Sequence, residues 1–109
     1  MDSESAYIKV YEILDKYYFV TDEYYDQLGN MLSDMMPGEF GAYGSFSSLD
    51  RAVYSDWEEA WEEYVGIGQK GTPEQVFRVA KTIIDYYSLE VEYELGNAEE
   101  YLKEQLLNG

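Results

Sequence analysis

In the stretch DWEEAWEEY, Trp57, Ala60, Trp61 and Tyr64 fall at offsets 0, 3, 4 and 7, and five carboxylates surround them. That spacing is the period of an α-helix seen from one side, whereas the faces of a strand alternate every second residue. The rest of the chain is written in the same period. Ala6, Val10, Ile13, Leu14 and Tyr17 share one face of a first helix, expected from an N-cap at Ser5 to about Tyr18. Tyr24, Leu28, Met31, Leu32 and Met35 share a face of a second, capped by Thr21 and stopped by Pro37-Gly38. Ser47, with Asp50 three residues on, has the pattern of a capping box, which predicts a third helix to about Tyr64. Its buried stripe would be Leu49, Val53, Trp57, Ala60, Trp61 and Tyr64.

Thr72-Pro73-Glu74-Gln75 reads as a helix start, with threonine as cap, proline at the first position and glutamine at the third. This fourth helix places Val76, Ala80, Ile83, Tyr87 and Val91 together and stops near Ser88 or, at the latest, near Leu95 before Gly96. Asn97 and Glu100 open a short last helix carrying Tyr101, Leu102 and Leu106. Within SLEVEYEL, Leu89, Val91, Tyr93 and Leu95 alternate with three glutamates, so a strand is the competing reading there, though a lone strand has nothing to pair with. VYEILDKYY and VAKTIIDYY echo one another faintly, either as diverged helix pairs or by chance.

The expectation is therefore an all-α single domain over residues 1–109, a bundle of four to five helices with the third at its centre. A Gly/aromatic-rich loop, PGEFGAYGSFSS, separates the second and third helices and packs its rings downward.

Charge limits the function. Twenty-three acidic residues face seven basic ones, for a net charge of −16. The excess is spread along the chain, with eight acids against two bases over 2–35, six against one over 49–65 and eight against three over 73–109. Such a surface repels phosphates, so direct nucleic-acid binding is strongly disfavoured and a basic protein is the complementary partner. Solubility alone asks for a net charge of only about 2 to 8 in a small domain. With neither cysteine nor histidine, the chain has no thiolate, imidazole base or zinc-thiolate site. No metal or cofactor is expected. Asp22, Glu23 and Asp26 lack the calcium-loop pattern, GIGQKGTPE lacks the order of a phosphate loop, and nothing points to an enzyme. No window is long and apolar enough for a membrane span, which leaves a cytoplasmic protein as the simplest expectation.

AYIKVYEILDKYYFVTDEYYDQLGNMLSDM, DRAVYSDWEEAW and TPEQVF together resemble a widespread family of small acidic bacterial proteins of unassigned chemistry. The resemblance covers about the first 80 residues. It rests on the paired Tyr17-Tyr18, on Leu28-Gly29-Asn30-Met31-Leu32 and on Asp56-Trp57-Glu58-Glu59-Ala60. The resemblance implies a helical accessory or immunity protein of the kind found beside bacterial toxins and mobile elements, and it brings no catalytic residue. EFGAYGSFSS departs from the pattern.

The candidate partner-binding residues are the carboxylates Asp56, Glu58, Glu59, Glu62 and Glu63, placed about 5 to 6 Å apart along the third helix. Four aromatic anchors accompany them: Tyr25, Tyr43, Phe46 and Tyr54. Tyr7, Tyr11 and Tyr18 form a second stripe beside the core. The expected role is that of a non-enzymatic inhibitor or immunity protein, neutralising a basic nucleic-acid-handling protein such as a nuclease toxin. A phage-encoded nucleic-acid mimic that disarms a bacterial defence complex, of the anti-CRISPR or anti-restriction type, is a second version. A self-associating acidic scaffold, forming a homodimer through its tyrosines, is the alternative of a different class.

Overall fold

The computed structural model describes residues 1–20 and 26–108, and Thr21, Tyr24 and Tyr25 lie outside the described residues. Five α-helices are present among those described: α1 (Ser3–Val20), α2 (Asp26–Met35), α3 (Arg51–Tyr64), α4 (Pro73–Asp85) and α5 (Ala98–Leu107). Between α2 and α3 the chain forms a minimal antiparallel ladder of β1 (Pro37–Gly38) and β2 (Ser47–Ser48), with Pro37 opposite Ser48 and Gly38 opposite Ser47. The protein is thus an all-α bundle in one unit. Its radius of gyration of 13.1 Å matches the value of about 13 Å for a single domain of about 100 residues.

The expected faces are the faces that pack. Ala6, Val10 and Leu14 of α1, Leu28, Met31, Leu32 and Met35 of α2, and Val53, Trp57, Ala60 and Trp61 of α3 are buried. So are Val76, Ala80 and Ile83 of α4 and Leu102 and Leu106 of α5. The closest helix packing is of α4 against α3 on one side and α5 on the other, while α1 links α5 to α2. The centre expected for the third helix is therefore shared with α4. Both tryptophans lie in the core, their rings stacked at 6.0 Å with 28° between planes.

Several boundaries differ from the sequence reading, each for a physical reason. Helix α1 starts earlier than Ser5 because the Asp2 side chain accepts a hydrogen bond from the Ser5 amide at 2.8 Å and so caps the first turn. Ser47 does not cap α3, since it belongs to the ladder. Asp50 does so instead, accepting from the Ala52 amide at 3.1 Å, and the buried Ser48 hydroxyl accepts from the Tyr54 amide at 2.9 Å. Leu49, assigned to the core stripe, precedes the helix and is 48% exposed. Tyr7, assigned to an outer stripe, is fully buried. Its hydroxyl donates to the Met35 carbonyl at 2.6 Å, and its ring meets Tyr54 and Trp57 edge-on at 5.0 and 5.2 Å.

Thr72 and Gln75 form the full capping box that the sequence predicts. At its other end α4 passes into a π-helical turn, Tyr86–Glu90, and then an irregular segment. The alternation in SLEVEYEL forms no strand among the described residues, and Leu89 and Val91 are exposed.

Candidate functional site: an acidic groove

The chain start and the loop after α3 are tied together by two backbone bonds. The Met1 ammonium donates to the Gly71 carbonyl at 3.1 Å, and the Gly71 amide donates to the Met1 carbonyl at 2.8 Å. Trp57 adds a third tie, its indole N–H donating to the Ser3 hydroxyl at 3.1 Å. Gly71 suits this close passage, because a Cβ there would stand 2.9 Å from the Trp61 ring. The first turn of α1 is thereby laid alongside α3, leaving an open groove of about 860 Å³ between them.

All the charged side chains in its walls are carboxylates. Asp2 and Glu4 come from the chain start, and Glu58, Glu59 and Glu62 come from α3; three serines, Tyr54 and Trp61, and Ile67, Gly68 and Gln69 of the loop complete the lining. None of the lining residues is basic. The Tyr54 hydroxyl registers this environment: burial first, then the negative charges of Glu58, Glu4 and Asp2, push its pKa up to about 12. Asp2, by contrast, is held below the usual carboxylate value, chiefly by the hydrogen bonds it accepts from Ser5.

The basic residues do little to neutralise this surface. Among the described residues Lys81 alone forms ion pairs, at 2.9 Å with Asp85 and 3.4 Å with Glu99. The Arg51 guanidinium donates to the Phe40 carbonyl, Arg78 lies 4.7 Å over the Tyr64 ring, and Lys103 lies 5.9 Å from the Phe77 ring. Arg51, Arg78 and Lys103 thus sit on carbonyl and ring faces, while the Met1 ammonium and Lys70 lie near enough to Asp2 to add to the lowering of its pKa.

The structure sorts the sequence candidates into distinct places. Glu58, Glu59 and Glu62 share the groove, while Asp56 turns to a second, smaller cavity, and Glu63 is exposed on the same helix and lines neither. Tyr43 is fully exposed at the tip of the loop, in left-handed backbone with φ of 58°. Tyr54, at 8% exposure, offers the groove only an edge, and Phe46 is half-buried and packs edge-on to Tyr7 and Tyr54. Those two rings hold the core together instead of standing out as anchors. Tyr25 lies outside the described residues. Asp2 and Glu4 were not singled out from the sequence: contacts between distant positions, Met1 with Gly71 and Ser3 with Trp57, bring them alongside α3.

Among the described residues no cluster of ligating side chains could hold a metal ion, and no helix is long and apolar enough to cross a membrane. No protein-family model, characterised protein or solved structure matches the chain.

Proposed function

We propose that the protein is a non-enzymatic inhibitor of the immunity type, which docks a basic segment of a nucleic-acid-handling protein into the groove between the chain start and α3. The observation that carries this reading is the convergence of five carboxylates from two distant parts of the chain on one groove with no basic lining residue. A concave wall of one sign focuses its field and speeds association with a partner of the other sign. Toxin immunity and phage-borne mimicry of a nucleic acid share this physics and differ in the identity of the basic protein.

The test is capture of basic proteins from the native host at low salt, by the wild-type chain and two variants of equal charge. One carries Glu58→Gln, Glu59→Gln and Glu62→Gln in the groove; the other carries Glu90→Gln, Glu92→Gln and Glu94→Gln on the π turn and the irregular segment after it. A partner released by rising salt, lost in the first variant and kept by the second, is the expected result. Equal loss in both would reduce the effect to net charge. A salt-indifferent dimer in sedimentation, with no basic protein retained, would favour the self-associating scaffold instead.

A further inference from the structure

A second cavity, of about 200 Å³, lies between the N-terminal end of α3 and the π-helical turn after α4, and the groove plays no part in it. The turn is what builds one of its walls. Wider than an α-helix, it sends Tyr87 inward and leaves Tyr86 half exposed. Glu92 then takes left-handed backbone, φ of 63°, and the Tyr93 amide returns to donate to the Tyr87 carbonyl at 2.8 Å. Three rings meet as a result. Tyr93 stacks on Tyr87 at 5.7 Å and 28°, while Tyr86 stands edge-on to Tyr87 at 5.3 Å and 83°, so the aromatic wall has a corner.

Three carboxylates, Asp34, Asp50 and Asp56, also line the cavity. Asp34 accepts from the Tyr87 hydroxyl at 2.9 Å and Asp50 from the Ala52 amide, whereas Asp56 makes no ion pair among the described residues. None of the lining residues is basic. Ile83, Val53 and Val91 make the rest of the lining apolar.

This combination selects a chemistry. Anions are repelled, and a bare metal ion has no use for the apolar half and finds no clustered ligands among the described residues. Aromatic rings and carboxylates lining one cavity suit a cation attracted to ring faces and carried on an apolar stem. The volume is below the range of about 300 to 1,000 Å³ typical of drug-sized ligands and fits something the size of one side chain. We infer that this cavity is a binding site for a side-chain-sized organic cation, a guanidinium or alkylammonium head on an aliphatic stem. The inference does not rest on the proposed inhibitor role, because it concerns a different cavity.

Agmatine, which carries both head groups, is the probe. Titrated into the isotope-labelled full-length chain, it should shift the amide resonances of Ala52, Asp56, Tyr86 and Tyr93 in a saturable way. N-Butylurea, neutral and of similar shape, should not. Tyr86→Ala and Asp56→Asn, both at exposed positions, should each weaken binding several-fold to about tenfold while leaving the helical circular dichroism unchanged. Shifts that fail to saturate, spread equally over Glu58 and Glu62, persist in both variants or appear equally with N-butylurea would overturn the inference. A pentapeptide with blocked termini, whose central arginine is its one charged residue, then separates the sources of the cation. If it binds as agmatine does, the site takes an arginine side chain of another protein; if agmatine binds and the peptide is refused, the site takes a free small molecule. Failure here leaves the groove experiment untouched, and the reverse holds equally.

Discussion

Ser48 is a single buried hydroxyl on which the start of α3 depends. It has no exposed surface, donates to the Asp50 carbonyl and accepts from the Tyr54 amide, one of the donors that a helix start leaves without an intrahelical partner. Ser48→Ala removes that acceptor inside the core and is expected to cost about 1 to 3 kcal/mol in denaturant unfolding, against a few tenths for Ser45→Ala on the exposed loop. The tyrosines give a second prediction at this scale. Burial raises the hydroxyl pKa of Tyr7, Tyr54 and Tyr87 above the ordinary value of 10, to about 12 for Tyr54; the hydrogen bond to Asp34 adds to the rise at Tyr87. Each hydroxyl keeps its proton in the fold after the unfolded chain has lost it. Their contribution to stability is whole below pH 10 and declines as pH climbs through the folded values. Followed together by tyrosinate absorbance and circular dichroism, a late class of tyrosines should ionise as the helices are lost. Ionisation of all tyrosines near pH 10 with the helices intact would contradict it.

At the scale of elements, legibility followed the reach of the interactions that set each boundary. Thr72 and Gln75 satisfy one another within four residues, so that cap could be read directly, and Thr72→Ala should cost about 1 kcal/mol and lower the thermal midpoint by about 4 °C or more. The caps misread were those decided elsewhere. Asp2 caps α1 at a chain start held by Gly71, and Ser47 is lost to a ladder with Gly38 that no local pattern announces. SLEVEYEL alternates like a strand, yet α4 ends in a π turn and Glu92 takes left-handed backbone, so its apolar residues part: Leu89 is exposed, Val91 and Tyr93 line the second cavity and Leu95 is buried. The site divides the same way. The α3 carboxylates were legible because their helix was, while Asp2, Glu4 and the separation of Asp56 from its neighbours depended on packing between distant segments.

Across the whole molecule, electrostatic self-repulsion sets the response to salt. The chain measures 38 × 32 × 23 Å and carries −16, and the screening length is about 30 Å at 0.01 M salt but about 3 Å at 1 M. At low salt nearly every carboxylate therefore acts on every other. Added sodium chloride should raise the unfolding temperature, while the same salt weakens capture of a basic partner; a thermal midpoint that falls or stays level across that range would refute the first half. These opposite responses separate a salt effect on the fold from one on the interface. The stacked indole pair has a practical side. Trp57 and Trp61 are the chain's only tryptophans, and Trp61 is the one that borders the groove. The protein thus contains its own fluorescent label at one concavity and none at the other. A partner seated in the groove changes the emission directly, whereas a cation held beside Tyr86, with no tryptophan in its walls, leaves that emission unchanged.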